Sequence, residues 1–270
     1  MRLPTVGSLP DIPHLELGHA LITMVEPDPA TVVEYNEWYE RDHFLSGVLA
    51  GPGAFAGRRW VATKALKAER SPSDSPIARP PTMGTFITIY WIERDQLQAH
   101  CDWGFPEAVR LGGLGRMRTD RQHVSTAYYD VVASTGRGDR PVPVELALHH
   151  PYTGLLMIWT AGDSGDDESA ARLRESLVGD DSPIASVVSF RPTTLPPPHP
   201  PMPGAIIGES DVAQASVLAH CCFVDSVVPD ARALRVLADA AIGATGLTAL
   251  LVAPFVPVAA GVDPRPSDLW

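Results

Sequence analysis

The 270-residue sequence is short of the residues that mark several specialised protein classes. Its three cysteines, Cys101, Cys221 and Cys222, are too few and too unevenly spaced for a disulfide framework or a four-ligand zinc site. No apolar run approaches the roughly 20 residues of a membrane span, and the N-terminal segment has no signal-peptide core. The sequence therefore predicts a cytoplasmic protein without a membrane segment.

Basic residues are also scarce, because 21 Lys and Arg stand against 32 Asp and Glu and give a formal net charge of −11. Nucleic acids and anionic membrane surfaces attract basic patches, so neither is expected as a partner. The sequence has no G-x-S-x-G elbow, no Walker A loop and no H-E-x-x-H motif. The composition is that of an ordinary globular protein, with 45% hydrophobic residues. We expect a small molecule as its partner.

The most informative segment runs from residue 33 to residue 61, and its pattern predicts a helix followed by a strand. Thr31 and Glu34 have the spacing of a capping box at a helix start. Glycines and Pro52 then break the helix, and alternation over residues 54–61 indicates a strand. Within the helix lies a dense group of polar and proton-transfer side chains: Asn36, Tyr39, Glu40, Arg41, Asp42 and His43.

This segment resembles the dimeric α/β-barrel superfamily of ferredoxin-like domains. The resemblance rests on an Asn-x-Trp-Tyr-x-x-Asp-His run, a Pro-Gly break and an Arg pair, here Asn36, Trp38, Tyr39, Asp42, His43, Pro52, Gly53, Arg58 and Arg59. It is nearest to EthD-like proteins, small polyketide cyclases and decarboxylases, and cofactor-free monooxygenases. The resemblance implies a small-molecule pocket between helices and sheet, without a cofactor.

The order of predicted elements, β-α-β-β-α-β, occurs twice along the chain. Both copies place a long proline-rich insertion between their second and third strands, at residues 64–82 and 192–211. Two helices cover only one face of such a sheet, so its other apolar face must be buried in another way. Two such sheets can bury these faces against each other. We therefore expect an α+β fold in which two ferredoxin-like repeats, residues 18–135 and 150–258, pack sheet to sheet as an intramolecular dimeric α/β barrel. The insertions could lid a cavity or bind a second copy of the chain, giving a homodimer.

His43 is the strongest candidate for a catalytic acid or base, because an ordinary imidazole titrates near neutral pH. Tyr39, one turn earlier, and Asn36 could hold a substrate oxygen by hydrogen bonds. The alternatives are an exposed histidine at a helix end and, for Tyr39 and Trp38, plain core aromatics. In the resembled family the matching histidine commonly faces the pocket.

Further side chains are expected to bind the substrate: Trp38, Asp42, His100, Trp103, His123 and either Tyr128 or Tyr129. His100, Cys101 and Asp102 follow one another on a helix and point in different directions, so no metal site is expected there. The first helix of the second repeat, DESAARLRESL, has no histidine or aromatic residue, which predicts a degenerate scaffold repeat. Some two-repeat relatives bind haem through a second-half histidine, for which His220 is the nearest candidate here.

These residues favour a cofactor-independent enzyme that transfers a proton on an aromatic or polyketide-like molecule, in a cyclisation, isomerisation or decarboxylation. Such chemistry needs a dry, aromatic-lined pocket with a titrating group. The alternatives are a cofactor-free monooxygenase of the same fold and a carrier that holds a small apolar ligand unchanged.

Overall fold

The computed structural model describes residues 15–162, 167–193, 195, 216–226 and 230–270, and the eight strands in these residues form one closed antiparallel barrel. The strands are β1 (Leu17–Pro27), β2 (Ala54–Val61), β3 (Phe86–Glu93), β4 (Arg121–Gly136), β5 (Gly154–Ala161), β6 (Ile184–Pro192), β7 (Val217–Val224) and β8 (Thr248–Pro257). The α-helices are α1 (Val32–Trp38), α2 (Lys64–Ala68), α3 (Leu97–Gly113), α4 (Asp167–Leu177), α5 (Ala231–Gly243) and α6 (Pro266–Leu269). None of these helices combines the length and the apolar character needed to cross a bilayer.

The strands follow the order β1-β3-β2-β8-β5-β7-β6-β4 around the barrel. Strands β1 to β4 thus form one ferredoxin-like sheet with the order β4-β1-β3-β2, and β5 to β8 form a second with the equivalent order β8-β5-β7-β6. The two sheets face each other across the interior and join where β4 meets β6 and β2 meets β8. The predicted fold is therefore confirmed. The ranges 18–135 and 150–258 stay our proposal for the extent of the repeats.

The strands are apolar on both faces because both faces are buried. In β3, Ile87, Ile89 and Trp91 point into the barrel core, whereas Tyr90 and Ile92 pack under the outer helices. A strand buried on both sides has no need of alternating polar residues. Each sheet consequently has an outer face on which helices can lie, α3 on the first and α4 with α5 on the second.

Residues 64–82 differ from the plain polar loop that the sequence indicates. The segment begins with α2, and Ile77 and Ala78 are buried in the barrel core. Ser71 exchanges two backbone hydrogen bonds with Val252 of β8, with N···O distances of 3.3 and 2.7 Å. The segment thus extends the seam where β2 and β8 pair over only two residues. The second insertion, residues 192–211, lies almost wholly outside the described residues.

The first helix begins where the spacing of Thr31 and Glu34 predicts, with Thr31 as its N-cap, but the capping-box hydrogen bond is not made. The Thr31 hydroxyl donates to Asp120 across the fold, and Asp28 accepts the Ala30 backbone N–H at 2.9 Å instead. Beyond α1 the chain runs on in wider π-helical turns, Tyr39–His43 and Leu45–Leu49. Such turns are often found at functional sites.

Candidate active site

A cavity of about 340 Å³ lies between the outer face of β1 and β4 and the helical layer of α3 and the π-helical turns. Its surface is mostly apolar, with a minority of imidazole, hydroxyl and guanidinium groups. It opens beside α3, where Val109 is 77% exposed. The lining residues are Leu21, Thr23, Val25, Tyr39, His43, Gly47, Val48, His100, Gly104, Phe105, Ala108, Val109, Met117, Arg121, His123, Thr126 and Tyr128. A volume of this size suits a small ligand.

Five of the side chains singled out in the sequence meet in this lining: Tyr39, His43, His100, His123 and Tyr128. They come from three separate elements, the π-helical turn Tyr39–His43, α3 and β4, so their meeting depends on the tertiary fold. The other four, Asn36, Trp38, Asp42 and Trp103, lie outside the lining, and their contacts are described below. The functional role of every one of these residues stays a prediction.

His43 projects from the π-helical turn against two aromatic rings. Its imidazole stacks on Trp38 with ring centroids 4.4 Å apart and meets Tyr39 edge-on at 5.2 Å. Its Nδ1 atom is buried without a hydrogen-bond partner and lies against Gly47, where a Cβ atom would come within 2.5 Å of it. Because the ring lines the cavity and Nδ1 is enclosed, we infer that the edge carrying Nε2 faces the ligand space.

Burial is the main reason that the pKa of His43 is lowered to about 3. The positive charge of Arg121 lowers this pKa further, while the carboxylate of Asp42 acts in the opposite direction. At neutral pH the imidazole is therefore uncharged, which is the form that can accept a proton.

His123 and His100 are also neutral. Burial, and then the charge of Arg121, lower the pKa of His123 to about 4, and its Nδ1 lies 2.8 Å from Thr126 Oγ1. Burial likewise lowers the pKa of His100, whose Nδ1 lies 3.1 Å from the carbonyl oxygen of Pro52. A carbonyl can only accept, so His100 Nδ1 carries the proton and its Nε2 holds a free lone pair. The lining thus contains three uncharged imidazoles.

The two cavity tyrosines are held by neighbouring side chains. The hydroxyl oxygens of Tyr39 and Tyr90 are 3.0 Å apart, and burial raises the pKa of Tyr90 well above its usual range. Burial also raises the pKa of Tyr128 far above the ordinary value, next to the thiol of Cys101. Tyr90 and Tyr128 therefore stay protonated, and a Tyr90 hydroxyl that donates to Tyr39 leaves the Tyr39 proton free for another acceptor.

Arg121 is a cavity residue that the sequence interpretation missed. It opens β4, donates a hydrogen bond to the Arg118 carbonyl, and has its guanidinium carbon 4.9 Å from the centroid of the Trp38 ring. Arg121 and His123 are two apart, so alternation from His123 could have found it. Beyond His123 the alternation of inward and outward side chains shifts by one residue. The cause is a bulge that skips Val124, since Met24 pairs with Ser125 and the next residue, Val25, pairs with His123.

Three of the predicted residues outside the lining anchor the helix that carries His43. Asp42 pairs with the Arg116 guanidinium, whose hydrogen bonds lower the pKa of that carboxyl to about 2. Trp38 Nε1 donates to the Arg116 carbonyl at 2.8 Å. Asn36 accepts from Arg59 at 2.9 Å, and the Arg59 guanidinium in turn lies 4.3 Å from the Tyr39 ring centroid. These contacts fix the π-helical turns to the rest of the first repeat.

Trp103, the fourth of these residues, packs behind the cavity wall. Its ring lies 6.0 Å from that of His100, and a Cβ atom on Gly51 would collide with it at 2.6 Å. It therefore supports His100 from behind.

The second repeat places its strand histidine in a closed environment. His220 is fully buried, with Nε2 3.1 Å from Thr160 Oγ1 and Nδ1 2.7 Å from Ser189 Oγ. Both ring nitrogens are occupied and neither reaches solvent, so His220 does not fit a haem ligand. Within the described part of the chain, no three His, Cys, Asp or Glu side chains are grouped as metal ligands.

No protein-family model and no curated protein matches the sequence. Solved structures do match it, among them an anthrone oxidase-like protein at 10% identity, covering 92% of this chain and 95% of that one with a TM-score of 0.48. A dye-decolorizing peroxidase from Bacteroides thetaiotaomicron VPI-5482 matches at 9% identity, over 92% and 94% of the two chains, with a TM-score of 0.45. A haem-bound DypB variant from Rhodococcus jostii RHA1 matches at 13%, over 89% and 93%, with a TM-score of 0.46.

Matches this weak carry no argument about this chain. On its own strand order and repeat, the chain has the dimeric α/β-barrel, ferredoxin-like fold that the sequence resemblance implied. Its assignment to the EthD-like, cyclase or monooxygenase branch stays a prediction.

Proposed function

We propose that this protein is a cofactor-independent enzyme that transfers a proton on an aromatic or polyketide-like small molecule, in a cyclisation, isomerisation or decarboxylation. The observation that supports this most is the uncharged His43 imidazole in the wall of an apolar cavity that also contains Arg121. Enolate formation needs a neutral base, a nearby cation and surroundings that exclude water.

In the proposed step, the bond between a proton and a carbon next to a carbonyl breaks. The proton passes to His43 Nε2, and the electron pair moves onto the carbonyl oxygen as an enolate. Arg121 stabilises that negative oxygen. Because the charge of Arg121 lowers the pKa of His43 in the free protein, an enolate beside Arg121 offsets this effect and makes His43 a stronger base as the reaction proceeds.

The remaining residues have supporting roles in this proposal. Tyr39 donates to the substrate oxygen while it accepts from Tyr90. Asn36 is a positioning residue, since it reaches the site through Arg59 and the Tyr39 ring. His100 and His123 bind substrate and become the bases to examine if His43 proves dispensable.

Two other functions share part of this support. A cofactor-free monooxygenase would begin with the same deprotonation and let the carbanion react with dioxygen. A carrier would need only the apolar lining, which makes up most of the cavity surface.

Anthrone, a flat enolisable ketone, can separate the three functions. We expect the protein to speed the exchange of the anthrone methylene protons in D₂O, followed by ¹H NMR, above a buffer blank. Oxygen consumption with formation of anthraquinone and water would identify the oxygenase, and binding without either reaction would identify the carrier.

A further inference from the structure

Three arginines lie close together at the end of α3 and the start of β4, and they differ in how their charges are balanced. Arg116 pairs with Asp42, and Arg118 pairs with Asp120. Asp120 is the acidic residue nearest in sequence to Arg121, but its carboxylate is occupied by Arg118 and by the Thr31 hydroxyl. No Asp or Glu oxygen of the described residues lies within 4.0 Å of the Arg121 guanidinium.

The position of Arg121 is nevertheless well defined. Its hydrogen bond to the Arg118 carbonyl and its contact with the Trp38 ring hold the guanidinium at the cavity wall. A cation that faces a largely apolar space without a carboxylate partner gains most from a ligand that brings the opposite charge. The apolar lining and aromatic edges around it favour a flat hydrocarbon body for the rest of that ligand.

We propose that the cavity binds a flat aromatic molecule carrying an anionic oxygen, a carboxylate or a phenolate, and that Arg121 recognises that oxygen. This inference names the substrate class of the site and rests on the proposed function for the use of the cavity. The lowered pKa values of His43 and His123 agree with it, because the charge of Arg121 contributes to both shifts, although Asp42 opposes part of its effect on His43.

The experiment compares two probes of nearly equal shape, 2-naphthoate and its neutral amide, by isothermal titration calorimetry at pH 7 and fixed ionic strength. We expect the naphthoate to bind about 10- to 100-fold more tightly, the range for a hydrogen bond to a charged group. Arg121→Gln should remove this preference, and Arg121→Lys should retain part of it. Arg110→Gln is the matched control, because it removes the same charge from an exposed pair on α3.

Equal binding of the two probes by the wild-type protein would overturn the inference, and so would binding of neither. A full naphthoate preference in folded Arg121→Gln, checked by thermal melting, would also overturn it. The wild-type comparison decides the matter even if Arg121→Gln fails to fold. Anion preference without anthrone exchange would leave this inference standing and refute the proposed enzyme, whereas exchange without anion preference would do the reverse.

Discussion

The two repeats share one strand order, yet the helices on their outer faces pack differently: loosely around a cavity in the first repeat and closely on the sheet in the second. Over β1 and β4 the helical layer leaves a cavity of about 340 Å³ lined by polar as well as apolar groups. Over β5 to β8, helices α4 and α5 meet the sheet in one aliphatic cluster in which Leu173, Leu177 and Leu234 are almost fully buried. Duplication of a fold thus need not duplicate its site.

The helices themselves account for the difference. Leucines and alanines of α4 and α5 fit closely against the strands, as regular helices with an apolar stripe do. In the first repeat the chain after α1 takes wider π-helical turns, and α3 contains Gly104 and Pro106. We attribute the cavity to these irregular turns and to the large rings that keep the helices from settling on the sheet.

Histidine shows the contrast most clearly. His220 uses both ring nitrogens in hydrogen bonds within a closed core, whereas His43 has an unpartnered Nδ1 and a ring edge on the cavity. Both have strongly lowered pKa values for the same main reason, burial. A lowered pKa therefore does not distinguish these two histidines, whereas access to the cavity does.

The largest effect is expected from His43→Ala. Removal of the base should lower the rate of anthrone exchange roughly 10²- to 10⁴-fold, the range for loss of a general acid or base. The exposed His149 is the matched control, and His149→Ala should leave the rate unchanged. Full activity of His43→Ala would move the base to His100 or His123, or leave the carrier function.

His220→Ala should have the reverse outcome, a loss of stability with an unchanged rate. The change empties a packed site and leaves the buried hydroxyls of Thr160 and Ser189 short of a partner, at a cost of about 3 kcal/mol in the free energy of unfolding. Urea unfolding measures the cost. A loss of exchange activity in protein that is still folded would show that the second repeat takes part in the chemistry.

Gly47→Ala tests whether the position of His43 matters. The added Cβ would lie 2.5 Å from His43 Nδ1 and must push the ring away, and misplacement by about 1 Å can cost up to about 10²-fold in rate. Gly112→Ala is the control, since nothing lies within 4 Å of its Cβ position. Equal activity of the two variants would show that the imidazole position is not critical.

The smallest effect is expected in how the free energy of unfolding depends on pH. Burial lowers the pKa of His220 to about 3, below the unfolded value of about 6.5, so only the unfolded chain gains this proton between those pH values. The stabilising contribution is full above pH 6.5 and is lost as the pH falls toward 3. Between pH 7 and pH 5 the wild type should lose about 2 kcal/mol more than His220→Gln in urea unfolding. Parallel losses in both proteins would contradict the lowered pKa.

The sequence predicted the order of elements and the fold, because strand alternation and helix breaks are local signals. Five of the side chains that it singled out line the cavity, since they stand in two dense groups of polar and aromatic residues or on the strand that follows, and their functional roles stay predictions. It missed Arg121 and misinterpreted Thr31, whose partner Asp120 is distant in sequence. It took residues 64–82 for a loop, although Ile77 is core, because barrel closure is a tertiary requirement that no local pattern records.

We expect the cavity of the first repeat to be a ligand site for an anionic aromatic molecule. A crystal structure of the protein soaked with 2-naphthoate tests it most directly. We expect the naphthalene ring between β4 and α3, with a carboxylate oxygen within hydrogen-bond distance of the Arg121 guanidinium and the ring edge near His43. Naphthoate bound under α4 and α5, or bound in the first cavity with its carboxylate turned away from Arg121, would contradict this expectation.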